Sequence, residues 1–94
     1  MRISSEKREK ISEQILAFLY SVSPRAVFTF NIAKEVARDE EFTKEILFNL
    51  KKKNLVVEIK KSPKGEVYLK RSRWNLSDTA YTVYKESQQQ ETTP

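Results

Sequence analysis

The sequence predicts an α+β fold made of three helices, a basic β-hairpin and an extra C-terminal helix. Three observations carry this reading. Apolar residues recur at helical spacing in three separate segments that precede Asn54. Two alternating segments follow, joined by Ser62-Pro-Lys-Gly, which holds the only glycine of the chain. A polar segment with helical apolar spacing then closes the sequence. Ninety-four residues fit one domain, expected over 1–87, with 88–94 as a polar, disordered tail.

The first helix is expected over Ser5–Val22. Ile11, Ile15, Phe18, Leu19 and Val22 share one face, and Ser4 or Ser5 caps its start. Pro24 stops it, because the residue before a proline is pushed out of the helical region. Ala26-Val-Phe-Thr, β-branched and aromatic, suits a brief strand. Thr29 or Asn31 then caps a second helix through Arg38, with Ile32, Ala33, Val36 and Ala37 as its buried stripe. Asp39-Glu-Glu opens a third helix, where acids meet the positive end of the dipole. Its core face centres on Phe42, Ile46 and Leu50, with Leu47 at the edge. Three lysines and Asn54 end it, since asparagine tolerates a left-handed C′ position.

Leu55–Lys61 and Glu66–Asn75 alternate as strands. Pro63 and Gly65 give their connection turn chemistry. Ser77 caps a last helix through about Gln89, whose apolar positions are Ala80, Tyr81, Val83 and Tyr84.

Composition narrows the function classes. Hydrophobic residues make up 38% and charged residues 33%, the balance of a small globular domain. The chain has no apolar run near the roughly 18 residues that span a bilayer. MRISSEKREK has no signal-peptide core, so a cytoplasmic, membrane-free protein is expected. There is no Cys and no His, which removes disulfides, thiolate metal sites and the commonest general base. No phosphate-binding glycine loop or nucleophile motif is present, so no enzyme, metal or cofactor is expected. Net charge is +5, and Lys51–Arg73, with nine basic residues and two acids, carries a local +7. A basic block on a near-neutral remainder suits a polyanion-binding face; a merely solubilising surface is the plainer alternative.

Helices two and three, joined by a short turn, read as a helix-turn-helix. Here the chain resembles the winged helix-turn-helix DNA-binding proteins, through Ile32-Ala-Lys-Glu-Val, Ile46-Leu-Phe-Asn-Leu-Lys-Lys-Lys-Asn-Leu-Val and Trp74-Asn-Leu-Ser-Asp-Thr-Ala. The last stretch is similar to the lead-in to the C-terminal helix of PadR-like and MarR-like proteins. Small archaeal regulators and the PadR-like partition protein AspA of archaeal plasmids also look similar. Two departures stand out: Thr43 where an aliphatic residue is common, and Asn54 in place of glycine.

The resemblance implies a third helix that reads the major groove and a hairpin wing that touches phosphate or the minor groove. Glu41, Lys44, Glu45, Phe48, Lys51 and Lys52 are the candidate recognition residues. Lys44 suits guanine, a glutamate suits cytosine N4, and Lys51 and Lys52 suit phosphate. Three roles stay open for Phe48: a thymine methyl contact, a core position, or a protein contact. Lys60, Lys61, Lys64, Gly65, Lys70, Arg71 and Arg73 form the wing set, and Arg25, Lys34 and Arg38 the backbone set. Tyr20, Tyr81, Val83 and Tyr84 suggest a homodimer interface, the alternative being that the last helix packs on the first within one chain.

The expected function is sequence-specific binding of double-stranded DNA, in transcriptional regulation or at a plasmid partition site. A partner protein from a transcription or partition complex is also in view. The rival is a winged-helix module that binds protein within a transcription or replication complex. RNA binding is weaker, because the stacked aromatic pairs of single-strand platforms are missing.

Overall fold

The computed structural model describes residues 5–60 and 72–91. Seven elements follow in order: α1 Ser5–Val22, β1 Val27–Phe28, α2 Thr29–Val36, α3 Glu40–Lys52, β2 Val56–Ile59, β3 Arg73–Leu76 and α4 Asp78–Glu91. The sheet order is β1-β3-β2 and both pairings are antiparallel. This is the winged helix-turn-helix topology, with β2 and β3 as the strands of the wing. The hairpin tip Ser62-Pro-Lys-Gly lies outside the described residues. No described helix is long and apolar enough to cross a membrane.

Most local signals act as the sequence suggests. Ile11, Ile15 and Leu19 of α1 are buried on one stripe. Asn54 takes φ 61°, and the amides of Asn54 and Leu55 donate to the carbonyls of Lys51 and Leu50. That pair of bonds is a Schellman closure, which satisfies carbonyls a helix end would otherwise orphan. Ser77 caps α4 through its hydroxyl, which accepts from the Ala80 amide at 3.1 Å.

Two helices depart from expectation. In α2 neither Thr29 nor Asn31 is the cap. Phe28 holds the N-cap position in extended conformation and forms no side-chain cap bond. Thr29 is the first helical residue, and its hydroxyl is taken by the sheet: Trp74 Nε1–H donates to Thr29 Oγ1 at 2.8 Å. A buried indole N–H needs an acceptor, and this demand outweighs local capping. The helix also stops at Val36, because Ala37 turns left-handed (φ 56°) and is exposed rather than part of the stripe. The Ala37 and Arg38 amides close this end on Lys34 and Ala33.

In α3 the deepest residues are Thr43, Ile46, Leu47 and Leu50, while Phe42 is only half-buried under the Arg8 guanidinium. The core face is therefore rotated by about 50° from the expected one, at about 100° per residue. Hydrophobicity favours Phe42 over Thr43. Burial of Thr43 leaves no unmet polar group, because its hydroxyl donates to the Asp39 carbonyl at 2.9 Å.

Trp74 is fully buried on the central strand, between Val27 and Glu58 in register. It joins the sheet to the first turn of α2 and meets Phe48 of α3 edge-on, with ring centres 5.6 Å apart. Thr29→Val keeps the shape of this contact and removes its acceptor. It should destabilise the fold by about 1–3 kcal/mol, the cost of leaving a buried donor unsatisfied, while Thr29→Ser costs less. Urea unfolding followed by the fluorescence of the only tryptophan measures both.

Candidate nucleic-acid interface

The three residues between α2 and α3 hold the two helices as a helix-turn-helix. Because α3 buries Thr43, Ile46, Leu47 and Leu50, its opposite face must point outward. All six predicted recognition residues, Glu41, Lys44, Glu45, Phe48, Lys51 and Lys52, are exposed there. The rotation of α3 decides their arrangement. Glu41, Phe48 and Lys52 form the crest, with Glu45 on the α1 side. Glu45 lies 3.5 Å from the half-buried Arg8, a solvent-accessible pair of small energetic weight. Lys44 and Lys51 occupy the opposite flank, toward the wing strands.

Phe48 is neither a core residue nor a free one. It keeps 36% of its surface exposed, rests against Trp74, and has the Lys44 and Lys51 ammonium groups at 5.8 and 5.9 Å from its ring centre. The sequence could not separate these environments, because the one that holds Phe48 comes from β3.

Lys51, expected on phosphate, is already engaged. Its ammonium donates to Glu58 Oε1 at 2.8 Å, and the Glu58 side chain is 3% exposed. The Ser72 hydroxyl donates to the other carboxylate oxygen. Glu58, on β2, therefore ties α3 to β2 and to Ser72, the residue that leads into β3. Burial pushes its carboxyl up, but the hydrogen bonds from Lys51 and Ser72, aided by the charges of Lys51 and Lys60, hold it below its ordinary value. Glu58 and Ser72 were not singled out in the sequence as parts of the site. The signal that existed was an acid isolated within a basic block, seven residues after Lys51.

Of the wing set, Lys60 is exposed where β2 ends. Arg73 is half-buried in the central strand, in register with Phe28 and Ile59, so it stands at the base of the wing. Lys61, Lys64, Gly65, Lys70 and Arg71 lie outside the described residues. Arg25, Lys34 and Arg38 are all exposed. An open cleft of about 380 Å³ lies beside Lys44, between the first turns of α2 and α3 and Ser72, with Phe30 and Asn31 on its wall. It is built from three separate segments, so no local pattern announces it.

The residues expected at a dimer interface behave differently from one another. Tyr20 of α1 packs on Tyr81 and Tyr84 of α4 within the chain, each with ring centres 5.4 Å apart. Val83 stays 59% exposed and Tyr81 38% exposed. Burial first, and then the Glu13 charge, push the Tyr84 phenol up.

The chain matches no protein-family model and no curated protein. Solved structures with the same fold do match. A mutant of MepR from a multidrug resistant S. aureus clinical isolate gives a TM-score of 0.67 at 18% identity, over 82% of this chain and 53% of that one. The PcaV transcriptional regulator from Streptomyces coelicolor gives 0.66 at 20% identity, over 87% and 56%. The S. aureus MepR–DNA complex gives 0.66 at 19% identity, over 92% and 73%. At such identities the likeness is one of fold. The chain spans about half the length of the first two.

Glu58 gives this site a pH signature. A depressed carboxyl stabilises the fold above its ordinary value of 4.5, and that contribution fades as pH falls through the lower folded-state value. The stability difference between wild type and Glu58→Gln should therefore be constant from neutral pH to about pH 5 and shrink below it. Urea midpoints across pH measure this; a difference that grows toward acid would contradict the assignment.

Proposed function

We propose that this protein binds duplex DNA with sequence preference as a homodimer and acts in transcriptional regulation. The observation that carries the reading is the outer face of α3. It is exposed along its length, bears Lys44, Phe48 and Lys52, and is braced against β2 and Ser72 by Glu58. A helix of this kind fits the major groove, whose width of about 12 Å admits one helix. Lys52 and Lys60 supply phosphate contacts, and Lys34, Arg38 and Arg25 extend the basic surface beyond α3.

The acids on α3 set a limit. Glu40 and Glu41 stand in its first turn, where they favour the helix dipole but repel phosphate. The reading surface is therefore the middle and C-terminal part of α3, and the wing carries much of the electrostatic affinity. The fold likeness to MepR solved with DNA and to PcaV supports the DNA reading and favours regulation. Recognition of a plasmid partition site would use the same surface, and rests on the sequence resemblance alone.

The dimer is proposed through α1 and α4. The packed tyrosines form a preassembled aromatic face, and exposed Val83 extends it. Two copies of α3 would then meet half-sites about one helical turn apart, roughly 34–36 Å.

Fluorescence anisotropy with random duplex DNA across a salt series tests the reading. Wild-type affinity should fall linearly on a log–log plot, by about 0.9 per phosphate contact. Lys60→Ala/Lys61→Ala/Lys64→Ala should flatten that slope by roughly two to three, and Lys52→Ala by about one. Absence of salt-dependent binding would overturn the proposal in favour of a protein-binding module.

A further inference from the structure

Among the exposed large apolar residues, Phe48 alone stands on α3. Its position is physically odd. Most of its ring is covered, against Trp74 among others, yet 36% of its surface stays exposed on a crest of charged residues. Its neighbours on the crest, Glu41 and Lys52, are charged and exposed. Yet its ring is held from three sides. Trp74 meets it edge-on at 5.6 Å, and the ammonium groups of Lys44 and Lys51 stand at 5.8 and 5.9 Å from its centre. Both aromatic edge contacts and cation–π contacts favour a fixed ring orientation. Lys51 is in turn fixed by Glu58, whose carboxylate is also held by Ser72. The exposed third of Phe48 is thus a small, oriented, apolar surface within a cationic frame.

In the major groove only one base carries an apolar group, the 5-methyl of thymine. The cationic frame suits the guanine acceptors and phosphates around such a methyl. Resting on the DNA-binding reading above, we propose that Phe48 is the specificity-determining residue through which α3 reads a thymine methyl group. Each half-site then carries a T·A pair at one fixed position. Lys44, one helical turn before Phe48, faces a neighbouring base or phosphate.

The chemistry offers a clean test, because uracil differs from thymine by that methyl alone. A preferred duplex is first selected from a randomised pool with wild-type protein. Each thymine is then replaced singly by deoxyuridine, and affinities are measured for wild type, Phe48→Ala and Phe48→Leu. For wild type, one position per half-site should weaken by roughly fourfold on loss of the methyl, the effect of one buried methylene-sized group. Phe48→Ala should bind thymine and uracil duplexes alike at that position. Its salt slope should be unchanged, since no charge is removed. Phe48→Leu, which keeps an apolar tip and preserves packing on Trp74, should retain discrimination, so a folding defect in the alanine variant does not decide the outcome. Uniform tolerance of uracil by wild type, or equal methyl sensitivity in wild type and Phe48→Ala, overturns the role of Phe48 while salt-dependent DNA binding stands. Failure of the selection with no salt-dependent binding to any duplex overturns both.

Discussion

The hydrogen bond from the Trp74 indole to the Thr29 hydroxyl is the constraint on which the rest of this small domain depends. A tryptophan is large enough to fill the space among a three-stranded sheet, the start of α2 and α3, but it brings a polar N–H into that space. Thr29 supplies the one acceptor, at the cost of leaving α2 without a side-chain cap. In return β3 is locked to α2, β1 pairs with β3 in the same register, and Phe48 has a wall to lean on. The domain is too short for several independent cores, so one residue joins layers that a larger protein would hold separately.

A second constraint is electrostatic. A concentrated block of basic side chains repels itself. Here the repulsion is relieved from below. Glu58, nearly removed from solvent, takes Lys51 and Ser72 and so converts one lysine of the block into a brace between helix and wing. The acids of the first turn of α3 do similar work for the helix dipole. Both devices lower the local positive charge, and both give α3 a defined position.

How much of this was legible in the sequence follows from how local each cause is. The bounds of α1, the left-handed Asn54 and the Ser77 cap depend on residues within a turn of one another, and they could be read directly. The exposed residues of α3 were also legible, because exposure follows from the same periodicity that buries the other face. Its rotation was not, since a threonine that satisfies its own hydroxyl on Asp39 looks polar in one dimension and apolar in three. Pairing of β1 with β3 joins residues 27 and 74 and leaves no local trace. The same distance hid the bond that takes Thr29 from its expected cap, and the environment that holds Phe48. The sequence groups the tyrosines of α1 and α4 but leaves open whether they pack within one chain or between two; in the structure Tyr20 packs on Tyr81 and Tyr84 of the same chain.

The proposed DNA-binding surface is formed by α3 together with the wing strands. Backbone amide chemical-shift mapping during titration with duplex DNA tests it most directly. The largest shifts should fall on Lys44–Lys52, the first turn of α2, and Lys60. Tyr81–Tyr84 of α4 should move little at constant oligomeric state. Shifts concentrated on α4 and the tyrosine face, with α3 silent, would contradict it.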